Sequence, residues 1–193
     1  MEVEGLGKRP PAPVLVKITA AESGYCVDFA KRCAGLRQYA GKPGWRGGLV
    51  SGRRIYGGFD VDSSIAGIVI GKVAECALCK LAGVPIDLAL RDHGDGGKDL
   101  ELPCGPTQVK ASQKPYASKF IRDPIEQVPW FVFAKWNGKE SQVSIEGYIS
   151  RAGLMRLDVV SSPRGGWMNR EVPMTSLLPV RSLLRIRPTC EVL

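Results

Sequence analysis

The fold predicted from this sequence depends mainly on the stretch DLELPCGPTQVKAS, from Asp99 to Ser112. Residues 99–102 and residues 107–111 each alternate polar and apolar side chains, as a half-buried β-strand does. Between them lies Pro103-Cys104-Gly105-Pro106, a combination of residues that is typical of tight turns. The stretch therefore predicts a β-hairpin of two short strands.

Polar groups gather on one face of this predicted hairpin. Side chains alternate between the faces of a strand, so Gln108 and Lys110 share a face and Val109 points to the opposite one. Asp99 begins the first strand and is expected to lie across the hairpin from them. Carboxylate and amide oxygens bind hard cations such as Mg²⁺, which activate water, and a lysine offsets charge that develops on phosphate. These residues indicate metal-assisted hydrolysis of a phosphodiester, with an ordinary exposed hairpin as the alternative.

The same residues resemble the core motif of the PD-(D/E)xK nuclease superfamily, in which an aspartate and a hairpin precede an acidic-x-lysine triplet. Here two glycines precede Asp99, and the triplet is Gln108-Val109-Lys110, with glutamine in place of the usual acid. Glutamine at this position is familiar in the Mrr-like branch, although it removes one negative ligand. The resemblance implies that Asp99, Gln108 and Lys110 are catalytic and that Mg²⁺ or Mn²⁺ is the cofactor. It also implies a metal shell of Asp99, Gln108 and the backbone carbonyl of Val109.

A glutamate in the preceding helix is a further candidate. Residues 65–83 form an apolar run of helical pattern that ends before Val84-Pro85. The segment from Gly71 to Glu75 resembles the helix that precedes the first strand in the superfamily, where a glutamate often helps to hold the metal. The resemblance therefore implies that Glu75 is a catalytic residue and a metal ligand. The alternative is a glutamate at the rim of the helix that pairs with Lys72.

The segment between this helix and the hairpin holds other polar residues. Residues 85–91 alternate in polarity and predict a short strand that leads into the hairpin. Asp95 is a rival of Asp99 for the metal, and Asp99 is preferred because the start of a strand sets the direction of its side chain. His93, the only histidine, is interpreted as structural or solvated, with a DNA contact as the alternative.

The charge of the chain favours a polyanionic partner. Its net charge is +8, which suits DNA. In the glycine-rich residues 41–58, basic and aromatic residues are interleaved, and this pattern predicts a loop that contacts phosphates and stacks on bases, with a merely solvated loop as the alternative. A second basic loop is predicted at residues 112–122. The candidate nucleic-acid contacts are Lys42, Trp45, Arg46, Arg53, Arg54, Tyr56, Lys114, Tyr116 and Lys119.

Further elements are predicted on both sides of the hairpin. Thr19 and Glu22 form a predicted capping box that starts a helix running to about Tyr39. Residues 129–135 are almost continuously apolar, as expected of a strand at the centre of a sheet, and residues 142–149 are its alternating partner. The apolar stripe of the first helix is predicted to comprise Tyr25, Phe29, Cys33 and Leu36, and Ser150 is predicted to cap a short helix that runs to Leu157.

The order of these elements predicts an α/β three-layer sandwich, in which a central mixed β-sheet is flanked by helices and carries the site at one edge. The resemblance covers roughly residues 60–185 and implies a restriction-endonuclease-like fold. Residues 1–60 are assigned to an N-terminal arm, a helix and the basic glycine-rich loop. Residues 61–193 are assigned to the nuclease core with a C-terminal packing segment, and both parts are expected to form one compact domain.

The leading hypothesis is a Mg²⁺-dependent DNA endonuclease of phage or bacterial type. No run of about 20 apolar residues occurs, so a membrane partner is not expected and the predicted location is the cytoplasm of a bacterium or a phage-infected cell. One alternative is a structure-selective nuclease like a Holliday-junction resolvase, acting as a homodimer. The other is a nucleic-acid-binding module with a decayed nuclease site, which the glutamine at position 108 makes plausible.

Overall fold

The computed structural model describes residues 9–39, 53–56, 59–62, 65–88, 98–114, 118–122, 127–138, 141–161 and 168–186. The elements in chain order are β1 (Val14–Lys17), α1 (Ala20–Tyr39), β2 (Arg53–Tyr56), β3 (Phe59–Asp62), α2 (Ala66–Ala82), β4 (Leu100–Leu102), β5 (Gly105–Ser112), β6 (Ser118–Arg122), β7 (Trp130–Lys135), β8 (Gln142–Ser150), α3 (Arg151–Met155), β9 (Val159–Ser161), β10 (Met168–Pro173) and α4 (Val180–Leu183), with a 3₁₀ turn at Met174–Ser176. Among the helices of these ranges, none is long and apolar enough to cross a membrane.

A mixed five-stranded sheet forms the centre of the molecule, in the order β1-β8-β7-β5-β4. β5 and β7 run parallel, and the other neighbours are antiparallel. β7 occupies the middle of the sheet, and residues 131–134 are buried, as the apolar run predicted. The predictions of an α/β protein, of the hairpin and of a central apolar strand are therefore confirmed.

Two helices cover one face of this sheet. α2 lies against it, and the core on this side includes Val109, Val132 and Ile145 from three adjacent strands. α1 packs on α2, and its predicted capping box is present: the Thr19 N–H donates to Glu22 Oε2 at 2.6 Å, and the Glu22 N–H donates to Thr19 Oγ1 at 3.2 Å. These bonds satisfy two N–H groups that have no partner within the helix.

The apolar stripe predicted for α1 was wrong at Tyr25, which is 63% exposed. The buried face instead carries Cys26, Val27 and Ala30, together with Phe29. The buried face is therefore rotated about the helix axis, by about one residue, from the predicted stripe. The small side chains of Cys26 and Ala30 let α1 approach α2 closely, so the buried face is the one that packs best against the neighbouring helix.

A second, three-stranded sheet in the order β6-β10-β9 packs on the opposite face, together with the short helix α3. Phe131 and Phe133 of β7 meet Ile121 of β6, Leu154 of α3 and Val172 of β10 there. This layer differs from the predicted helical one. The basic loop predicted at residues 112–122 was wrong for residues 118–122, which form strand β6.

Two other segments differ from their predictions. β1 had not been predicted, yet it pairs antiparallel with β8 as an edge strand of the main sheet, so the N-terminal segment joins the core. The strand predicted at residues 85–91 was wrong for residues 85–88, which form neither strand nor helix, and residues 89–97 lie outside the described part of the chain. Pro85 offers no N–H for a ladder, which disfavours a paired strand at its position. In the predicted loop 41–58, residues 53–56 form β2 and pair with β3.

Candidate active site

The hairpin of β4 and β5 is held rigidly at its turn. Leu102 pairs with Gly105 across a two-residue connection, and Gly105 has φ +113°, a conformation that glycine adopts far more readily than other residues. The Trp130 indole Nε1–H donates to the Cys104 carbonyl at 2.8 Å and ties the turn to the start of β7. β5 also pairs with β7 along six residues. The triplet at residues 108–110 therefore lies on a strand that pairs with β4 on one side, at residues 105–107, and with β7 on the other.

The Asp99 carboxylate contacts the middle of that triplet. β4 begins at Leu100, so its ladder does not reach Val109, and Asp99 Oδ2 accepts a hydrogen bond from the Val109 N–H at 2.6 Å. The Asp99 N–H donates to the Thr107 carbonyl at 3.0 Å, although Leu100 is the residue paired with Thr107. Asp99 and Leu100 of one strand thus both lie opposite Thr107 of the other, as in a β-bulge. A bulge of this kind changes the direction of a side chain at the end of a strand pair.

The three predicted site residues approach β5 from different directions. The N–H and C=O of one strand residue point the same way, so the Val109 carbonyl faces the side on which the Asp99 carboxylate lies. The register with Phe131 and Phe133 places Gln108 and Lys110 on the face opposite α2. Gln108 is 5% exposed and Lys110 is half-buried. The predicted grouping of carboxylate, amide and ammonium at one site stays a prediction.

A cleft of about 370 Å³ lies beside Asp99. One wall is formed by Val84, Pro85 and Asp87, and the other by residues 98–101. Asp87 was not among the predicted site residues because the alternating pattern of its segment indicated a strand. On the other wall, Lys98 Nζ and Glu101 Oε2 form an exposed ion pair at 2.9 Å. The cleft therefore adds a second aspartate to the surroundings of Asp99.

Glu75 forms a buried ion pair with Lys72, one turn earlier in α2. Both side chains are about nine-tenths buried, and the Lys72 ammonium also lies 4.3 Å from the centre of the Phe29 ring. Lys72 Nζ further donates to the Asp87 carbonyl at 3.3 Å. The pairing of Glu75 with Lys72 is the one weighed as an alternative from the sequence, in a buried rather than a rim position. A metal-ligand role for Glu75 stays a prediction.

The Mg²⁺ or Mn²⁺ site predicted at Asp99 stays a prediction. Within the described ranges, no three His, Cys, Asp or Glu side chains are grouped closely enough to hold a metal ion. Mg²⁺ is commonly bound through one or two carboxylates, and waters and substrate phosphates complete its shell. One carboxylate, that of Asp99, lies beside Val109 at the predicted position on the hairpin.

The predicted nucleic-acid contacts are only partly placed by the structure. Lys114 is exposed just after β5. Arg53, Arg54 and Tyr56 lie on strand β2 rather than in a loop. The remaining candidates of the first and second loops, together with the two polar residues of the segment before the hairpin, lie outside the described residues: Lys42, Trp45, Arg46, Tyr116, His93 and Asp95.

Lys119 occupies a different environment from the exposed phosphate contact that the sequence predicted. It is 8% exposed, and its ammonium donates to Ser112 Oγ and lies 3.8 Å from Glu146 Oε2. Burial lowers the pKa of Lys119 below its usual range, and Glu146 partly opposes that shift. The side chain points inward because Lys119 alternates with exposed Phe120 along β6. Lys119 therefore connects β6 of the second sheet with β5 and β8 of the main sheet.

In comparisons with protein-family models, with curated proteins and with solved structures, no match to this chain was found.

Proposed function

We propose that this protein is a metal-dependent nuclease with a restriction-endonuclease-like core, which hydrolyses DNA phosphodiester bonds as an endonuclease. The observation that carries the proposal is the contact of the Asp99 carboxylate with Val109, between Gln108 and Lys110. It supports the alignment of these residues with the superfamily motif, because it joins the aspartate to the triplet across the hairpin. The net charge of +8 is in keeping with a nucleic-acid substrate.

The residues of the hairpin have distinct roles in this proposal. Asp99 and the Val109 carbonyl would hold Mg²⁺ or Mn²⁺, and Gln108 would supply a neutral oxygen ligand or orient the attacking water. When bound, the metal polarises the phosphoryl oxygen and lowers the pKa of a bound water. Lys110 offsets the negative charge that grows on the phosphate during attack. The rigid hairpin keeps these groups in place before the substrate arrives, which lowers the entropic cost of reaching the transition state.

Lys110→Ala is expected to lower kcat for DNA cleavage by about 10²–10³-fold, because the ammonium acts mainly on the charged transition state. DNA affinity, measured with Ca²⁺ in place of Mg²⁺, should change little. Nicking of supercoiled plasmid and a binding titration measure the two quantities. Lys31→Ala, which removes an exposed lysine from α1, is the matched control and should cleave like the wild type. An active Lys110→Ala variant with an intact fold would contradict the role of Lys110.

A nucleic-acid-binding module with a decayed site is the second candidate function. The neutral side chain of Gln108, where the superfamily motif usually has an acid, favours it. Under the leading proposal, Gln108→Glu adds a charged ligand and should lower the Mg²⁺ concentration for half-maximal cleavage. Calorimetric titration of Mg²⁺ should show tighter binding by the same variant. If only the glutamate variant cleaves DNA, the wild-type site is decayed. If the glutamate variant loses an activity that the wild type has, Gln108 makes a specific hydrogen bond.

A further inference from the structure

The ammonium of Lys72 is held inside the protein by three groups. Its side chain is 11% exposed, and it forms the ion pair with Glu75 and lies over the Phe29 ring. A buried charge is costly unless it is paired and hydrogen-bonded, so these contacts offset the loss of hydration. The third partner is a backbone carbonyl, that of Asp87, which accepts a hydrogen bond at 3.3 Å. Lys72 thus joins the interior of α2 to a residue that follows the helix.

The segment that Lys72 contacts has no regular structure of its own. α2 ends at Gly83, which has φ +70°, and the Val84 N–H closes the end of the helix by donating to the Cys79 carbonyl at 3.0 Å. Residues 84–88 then belong to no helix and no strand ladder. A charge-assisted hydrogen bond to the backbone at Asp87 is therefore well placed to hold this segment in position.

This same segment forms the wall of the cleft that faces Asp99. Val84, Pro85 and Asp87 lie on one side of the cleft, and Asp99 lies on the other. We propose that Lys72, oriented by Glu75, is a positioning residue that sets the distance of this wall from Asp99. The inference rests on the proposed nuclease function, because the cleft is where the phosphate and the cation would enter. Glu75 then acts through Lys72, and its carboxylate need not contact the metal.

A neutral pair tests this role without leaving a buried charge uncompensated. Replacing both partners of a buried ion pair is tolerated better than replacing one, so Lys72→Met/Glu75→Gln is the principal variant. Amide hydrogen exchange at residues 86–88 is expected to become about tenfold faster in it, because the hydrogen bond to Asp87 is lost. Exchange in β7 should stay as in the wild type. Unchanged exchange at residues 86–88 would overturn the proposal.

Metal titration distinguishes positioning from direct ligation by Glu75. Loss of a residue that orients a metal site typically costs 10–100-fold, so the neutral pair should need at least about tenfold more Mg²⁺ for half-maximal cleavage and for binding in calorimetry. Lys72→Met keeps Glu75 and removes only the cation that reaches the Asp87 carbonyl, so it should be about as weak as the neutral pair in both measurements. If Lys72→Met binds Mg²⁺ as the wild type does, Glu75 itself contacts the metal and the proposal fails. Hydrogen exchange requires no nuclease activity, so an inactive wild type would count against the proposed function alone.

Discussion

Asp99→Asn is expected to lower Mg²⁺-dependent DNA cleavage by at least about 10³-fold, because it removes the carboxylate that the proposed metal site depends on. The fold should survive, since the asparagine Oδ1 can still accept the hydrogen bond from the Val109 N–H that Asp99 Oδ2 accepts now. Plasmid nicking measures cleavage, and thermal denaturation checks the fold. The same variant should lose Mg²⁺ binding in calorimetry.

A matched control separates the site from a general loss of negative charge. Asp28→Asn changes an exposed aspartate on α1, whose side chain is 69% exposed, and it should cleave like the wild type. Full activity of Asp99→Asn would contradict the assignment of the metal site. If Asp95→Asn is inactive while Asp99→Asn is active, the metal-binding aspartate is Asp95.

Gly147→Ala is expected to destabilise the protein by about 3 kcal/mol or more, through strain and overpacking together. Gly147 has φ +152°, and an added Cβ would lie 2.7 Å from the Leu178 carbonyl oxygen and 2.9 Å from Leu177 Cβ. The neighbouring backbone resists movement, because Tyr148 and Leu178 exchange two hydrogen bonds, of 2.9 and 2.7 Å. The C-terminal segment therefore packs on β8 at a point where only hydrogen fits.

For a protein of this size, a loss of about 3 kcal/mol corresponds to a fall in Tm of roughly 6–12 °C. Thermal denaturation followed by circular dichroism measures it. Gly71→Ala is the control, because Gly71 lies inside α2 and, among the described residues, only the backbone of the helix itself comes within 4 Å of the added Cβ. This variant should be neutral or stabilise by up to about 1 kcal/mol. A Tm of Gly147→Ala equal to that of the wild type would show that β8 and the C-terminal segment can separate at this point.

The elements with strong local signals were predicted correctly from the sequence. Alternation and turn residues predicted the hairpin, and a continuous apolar run predicted the central strand β7. Thr19 and Glu22 predicted the start of α1. Ser150 also caps α3 as predicted, because its Oγ accepts a hydrogen bond from the Gly153 N–H at 3.0 Å, although that helix ends at Met155. Each of these signals is contained within a few consecutive residues.

Features that depend on partners distant in the chain were not predicted. β1 and β6 are only four and five residues long, and each is a strand because a distant strand pairs with it. Lys119 was predicted to contact nucleic acid, because no local pattern indicates that it lies beside Glu146 of another strand. Likewise, the contact of Lys72 with Asp87 exists because residues 84–88 return alongside α2, and no local pattern indicates that path.

Cleavage of supercoiled plasmid by the purified wild-type protein is the most direct test of the central claim. The assay compares Mg²⁺, Mn²⁺, Ca²⁺ and a chelator, with four-way-junction and single-stranded DNA as further substrates. Nicking is expected with Mg²⁺ or Mn²⁺, and none with Ca²⁺ or the chelator. Preferential cutting of the junction would favour the resolvase-like form of the activity. DNA binding without cleavage under every metal condition would contradict the claim that the site at Asp99, Gln108 and Lys110 is a working nuclease.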